Sequence, residues 1–176
     1  MPVVRLAVAA CVLLVLTACG ASHASDDDMR QALSTPSPTA AAERSDIAKG
    51  GGVRSLGEGI TLVVSEPTSF TPTDTAYPRA ERAVAFELVL DNNGDDVYRP
   101  AQLSFVATAD GAATEQVVDS TQGYTGVMGA ADELPPDGDL RFAVAFAVPS
   151  TPCVVRVAVR PMSPTQAAIP IYDGTV

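Results

Sequence analysis

The side chain with the most distinctive chemical setting is the thiol of Cys19. It follows Leu16-Thr17-Ala18 and closes an apolar run, Leu6 to Leu16, that starts just after Arg5. One basic residue, a short apolar run and small residues before a cut read as a secretory leader. The run is too short for a bilayer core, which needs about 20 residues, so a retained anchor helix is the weaker reading. The other candidates for chemistry are sparse. His23 is the one histidine and stands close behind Cys19. A Ser-His-Asp or Cys-His arrangement needs its base on a packed scaffold, and no histidine follows residue 23; a His/Cys zinc site fails for the same reason. Acid pairs occur at Asp95-Asp96, Asp132-Glu133 and Asp137/Asp139. All fall in expected turns, where Asp bonds the backbone, so they read as turn chemistry rather than paired-carboxylate catalysis. Asp91-Asn92-Asn93-Gly94-Asp95-Asp96 looks faintly like a calcium loop, but it lacks the spacing to a terminal Glu and places Gly too early. The expectation is a protein with no catalytic residue, no metal ligand set and no cofactor.

Leu16-Thr17-Ala18-Cys19 resembles the Leu-small-small-Cys box that ends the signal of bacterial lipoproteins. That resemblance implies cleavage between Ala18 and Cys19, diacylglycerol on the Cys19 thiol, and often an acylated new amino terminus. Cys19 would then be both the first residue of the mature protein and its anchor in the cell membrane, on the extracytoplasmic face. Each buried methylene contributes about 0.8 kcal/mol, and two acyl chains suffice for stable attachment where one is marginal. A plain secretory signal cut after Ala18 is the competing reading.

Removing Arg5, the leader's one charged residue, takes the formal charge from −10 to −11. Such a surface repels phosphate backbones and anionic headgroups, which argues against nucleic acid and leaves membrane contact to the lipid. Hydrophobic residues make up 47% of the chain and aromatics only 5%, so the core must come from small branched side chains. With Cys11 lost in the leader and Cys19 consumed, Cys153 is left without a disulfide partner. In Cys153-Val154-Val155-Arg156-Val157-Ala158-Val159-Arg160 the arginines share one strand face, and Cys153 points inward with Val155, Val157 and Val159. There a thiol acts as a small hydrophobe.

Three regions follow: a leader at 1–18, a lipidated flexible linker at 19–58, and a β domain at 59–176. The linker is rich in Ala, Ser, Thr, Pro and Gly and carries the charge run Asp26-Asp27-Asp28. It buries too little to offset the entropy of ordering. About 40 such residues span roughly 35 Å on average. A short helix over Thr39 to Lys49 would be marginal in water. Beyond Gly59 the apolar period becomes two. Strands are expected at Ile60–Ser65, Arg82–Asp91, Gln102–Thr108, Thr114–Val118, Leu140–Val148 and Cys153–Arg160, with an edge strand at Ile169–Tyr172 because Pro170 bars a central place. Thr68–Arg79 and Ser120–Ala130 are expected as loops. About seven alternating strands with no convincing helix imply an all-β, antiparallel two-layer sandwich; a small barrel is the alternative.

Leu90-Asp91-Asn92-Asn93-Gly94, Asp110-Gly111 and Leu134-Pro135-Pro136-Asp137-Gly138 leading into Phe142–Pro149 resemble a family of immunoglobulin-like extracellular domains of unknown function. These recur in lipoproteins and secreted antigens of Gram-positive, especially actinobacterial, cells. The likeness covers roughly residues 58 to 160. It implies a sandwich and a surface role, with no chemistry. The expected function is a noncatalytic interaction domain that binds another cell-envelope protein. A carrier holding a small apolar ligand between the sheets is the alternative; it requires a cavity of several hundred cubic ångströms. Tyr77, Tyr98 and Tyr124 fall in or near loops, where tyrosine can anchor a partner.

Overall fold

The computed structural model describes residues 52–162 and 165–176. Ala18, Cys19, His23 and the leader lie outside the described residues, as does the linker up to residue 51.

The strands are β1 (Gly52–Gly57), β2 (Ile60–Val64), β3 (Thr68–Phe70), β4 (Arg82–Asn92), β5 (Ser104–Ala109), β6 (Ala112–Thr114), β7 (Gln116–Val117), β8 (Asp139–Val148), β9 (Val154–Arg160) and β10 (Ile169–Thr175). They form a six-stranded sheet in the order β1-β2-β4-β8-β7, with β3 also on β4, and a four-stranded sheet in the order β10-β9-β5-β6. Every pairing is antiparallel. Each sheet ends on unpaired strands, so the architecture is a sandwich and not a closed barrel.

The long pair β4 and β8 runs in register from Arg82↔Val148 to Asp91↔Asp139. Val84, Phe86, Leu88 and Leu90 face inward from β4 and are fully buried. They meet Val155, Val157 and Val159 of β9, and Ile171 and Tyr172 of β10, in one apolar cluster. The register of β10 slips between Pro170 and Tyr172, which lets Ile171 and Tyr172 both reach the interior. On one flank the chain switches sheets: β6 pairs with β5, β7 with β8, and the Thr114 hydroxyl donates to the Ala147 carbonyl. What reads as one strand at Thr114–Val118 is thus two, divided at Glu115.

The structure also corrects the linker boundary. β1 lies inside the stretch read as flexible linker at 19–58, so the sheet begins at Gly52 rather than near Ile60. A two-residue turn, Glu58 (φ 51°) and Gly59 (φ 79°), reverses β1 into β2 with the backbone twist that hairpins prefer. Glu is not a turn signal, which hides the hairpin in the sequence. Likewise the start of the expected loop Thr68–Arg79 is β3, which resumes the β4 edge after Pro67 interrupts it.

Cys153 is buried, as its place on the alternating face requires, and its backbone exchanges hydrogen bonds with Val176. Burial pushes its thiol pKa up, and the nearby Asp110 carboxylate adds to this. In the folded protein at pH 8 the thiol is expected to resist iodoacetamide and to react within minutes once urea unfolds the domain. Mass spectrometry of the alkylated peptide checks this.

Candidate functional site

The acids singled out in the sequence are scattered by the fold into surface and turn roles. Glu133 pairs with Arg99 at 3.5 Å and Asp139 with Arg141 at 3.8 Å, all exposed, where such pairs contribute little. Asp137 holds a turn at φ 58°. Asp95 and Asp96 line a shallow depression of about 340 Å³ with Glu58 and Tyr98. Among the described residues no group of three or more His, Cys, Asp or Glu side chains is placed to hold a metal ion.

Asn92 is a structural joint. Its amide donates to the carbonyls of Asp96 (2.8 Å) and Leu134 (3.0 Å), and its side-chain oxygen accepts from Gly94 N–H (3.0 Å). Its backbone pairs with Gly138 and Asp137. The Asn-rich turn and the Leu134–Gly138 turn, distant in sequence, are thereby fastened together. Tyr98 is buried, so its phenol pKa is pushed up to about 12 and the group stays a donor, to the Pro161 carbonyl.

The other notable assembly is on the outer face of the six-stranded sheet. There β4 and β8 present Ala83↔Ala147 and Ala85↔Ala145, a floor of methyl groups. Small side chains let two loops approach closely. The segment 71–81 brings Ala76 and Ala80, and the segment 117–124 brings Val117 and Tyr124, closing a second apolar cluster. Phe70 packs its ring on Tyr124 at 4.3 Å. We refer to these two loops as the cap.

A single carboxylate ties the cap together. Asp119 is fully buried, with 0% relative exposure. Its oxygens accept from Thr73 N–H (2.7 Å), the Thr73 hydroxyl (2.9 Å) and the Gln122 amide (3.0 Å). Its backbone exchanges bonds with Tyr124. The Thr73 N–H most of all, against the opposing effect of burial, holds the Asp119 carboxyl below its ordinary pKa. Beyond it, Thr73 and Thr75 hydroxyls lie 2.9 Å apart, and Thr75 and Thr121 3.1 Å apart.

The three loop tyrosines separate sharply. Tyr98 is interior and Tyr124 is half-buried against Phe70, whereas Tyr77 is 80% exposed. The backbone beneath Tyr77 is nonetheless fixed: Tyr77 N–H donates to Val118 carbonyl at 2.9 Å and Val118 N–H returns the bond at 2.8 Å. Val118 is also part-exposed beside it, while Ala76 and Val117 are buried. Asp119 and the cap are what sequence reasoning missed. The available signals were alanines at the outward positions of two adjacent strands and one acid set between Val117-Val118 and Ser120-Thr121.

A second surface feature crosses the outer face of the four-stranded sheet, a groove of about 320 Å³ lined by Val106, Thr108, Arg156, Ala158, Pro170 and Asp173 among others. Arg156 and Asp173 pair across it at 3.1 Å.

No family model matches the chain, and no curated protein matches it either. Two solved structures align with the chain. The yjhA protein from Bacillus subtilis aligns with a TM-score of 0.50 at 12% identity, covering 68% of this chain and 87% of that one. An uncharacterized β-sandwich protein from Clostridium difficile 630 aligns with a TM-score of 0.42 at 14% identity, covering 72% of this chain and 90% of that one. At such identity the first likeness shows the sandwich fold alone.

Proposed function

We propose that this chain is a lipid-anchored, noncatalytic interaction domain at the outer face of the cytoplasmic membrane, and that its cap recognises another cell-envelope protein. The observation that carries the recognition surface is Tyr77, a largely exposed aromatic ring on a backbone fixed by two bonds to Val118 above a buried cluster. Aromatic side chains held in place supply contact area at low entropic cost, and they are over-represented among residues that dominate binding energy. Anchoring is supported by Leu16-Thr17-Ala18-Cys19 and the apolar run before it. The reading as a carrier of a small apolar ligand has less support, because Phe86, Phe146, Leu62, Ile171 and the β9 valines fill the space between the sheets.

In cells making the full-length protein, Cys19→Ala is expected to shift it from the membrane fraction to the soluble or unprocessed fraction. A photo-crosslinking residue at position 77 is expected to capture one reproducible envelope protein, while the same residue at Val106, on the opposite sheet, captures none. Equal labelling from both positions would remove the cap from consideration as the recognition surface.

A further inference from the structure

The cap is held differently from the sandwich. Its cluster is built from Ala76, Ala83, Ala85, Val117 and Ala145 and is separate from the main core. Alanine methyls contribute little apolar burial, about one methylene's worth each. The fixed points of segment 71–81 are therefore polar: the Tyr77–Val118 backbone pair, the Gln122 amide on the Thr71 carbonyl, and the bonds to Asp119. Of these, Asp119 has the greatest leverage, because it bonds Thr73 twice and Gln122 once and has no contact with bulk water.

We propose that Asp119 is a latch, and that weakening its carboxylate lets the cap open as a local unit while the sandwich stays folded. Regulation of binding by this latch rests on the cap being the recognition surface proposed above; the opening itself does not. Closed, the latch keeps the Tyr77 backbone in one place, and open, it releases that backbone from Val118.

The bonding pattern predicts a graded response. One Asp119 oxygen accepts two N–H bonds, whereas the other accepts only a hydroxyl, which can turn and accept in its place. Protonation therefore weakens the latch, by replacing charge-assisted bonds with neutral ones, and deletion of the carboxyl cuts it. The titratable and charged groups on the surrounding elements are Asp74, Tyr77, Arg79 and Glu81 on segment 71–81, and Glu115 and Tyr124 about β7; the strands beneath present alanines. None of those side chains bonds the Asp119 carboxylate, whose partners are backbone, hydroxyl and amide. Because the folded-state pKa lies below its ordinary value of 3.8, the latch is at full strength above that value and weakens as pH falls through the folded one.

The test is residue-resolved hydrogen exchange on the full-length protein. The reporters are the amides of Ala76, Tyr77, Val118 and Tyr124 in the cap, with those of β4 and β8 as reference. At pH 7, Asp119→Ala is expected to raise cap exchange roughly a hundredfold and Asp119→Asn roughly tenfold, with β4 and β8 unchanged. Cap exchange that moves in neither variant overturns the proposal. So does an Asp119→Ala domain in which β4 and β8 exchange along with the cap, since the two would then be one cooperative unit. Crosslinking from position 77 that fails while cap exchange responds as expected would count against the recognition surface only.

Discussion

Phe86→Ala is expected to lower the unfolding free energy by about 4 kcal/mol, the middle of the range for truncating a buried aromatic. Phe86 sits at the middle of β4, fully buried, and its ring reaches both Phe146 at 6.4 Å within the same sheet and Tyr172 at 5.0 Å on the facing one. Few residues in this aromatic-poor chain touch both layers with so large a side chain. The alanine would leave a void that Val84, Leu88 and Val144, fixed by the β4–β8 register, have little freedom to fill. Urea unfolding followed by tyrosine fluorescence gives the number. A loss below about 1.5 kcal/mol would mean that the facing sheets close over the gap.

Asn92→Ala is expected to cost about 3 kcal/mol, although it removes far less volume. The Leu134 and Asp96 carbonyls and the Gly94 N–H would each lose a partner, the Leu134 bond in a buried site and the other two in part-buried ones. Asn92→Asp sharpens the argument, because it keeps the acceptor for Gly94 but turns a carboxylate toward two carbonyl oxygens. That carboxyl's folded pKa must rise above its unfolded value, so the variant should be least stable at neutral pH and regain stability as pH falls toward 4. Unfolding at pH 7 and at pH 4 separates this from a purely steric defect, which would cost the same at both.

Much of the sandwich was legible because strands of this kind advertise themselves by alternation. Ile60, Leu62 and Val64, then Val84 to Leu90, then Val155, Val157 and Val159 are buried on the faces their period assigns. Pro170 correctly marked an edge strand, β10. The parts that escaped are those whose rule is not alternation. β1 includes Arg54 on its inward face and turns through Glu58, a residue that gives no warning of positive φ. Gly59 and Gly94 are needed because a Cβ on either would run into the other turn's backbone, a contact that only tertiary structure reveals. The cap was illegible for a related reason. Alanines opposite a core face read as neutral surface, and nothing local says that two distant loops will close over them. Asp119 has no local signal either, because its partner Thr73 is 46 residues away in sequence and only the fold brings them together.

The placement of β1 also has a mechanical side. It is the outermost strand of its sheet, and the polypeptide enters it at Gly52, the residue paired with Val64 at the end of the hairpin away from its turn. Tension applied through the preceding chain loads that ladder from the free end, one rung at a time, rather than shearing all rungs together. Peeling should therefore begin at a lower force than rupture of β4 from β8, whose long pairing lies inside the sheet. β1 is then a sacrificial seam, yielding first and able to re-form on β2 when the pull relaxes.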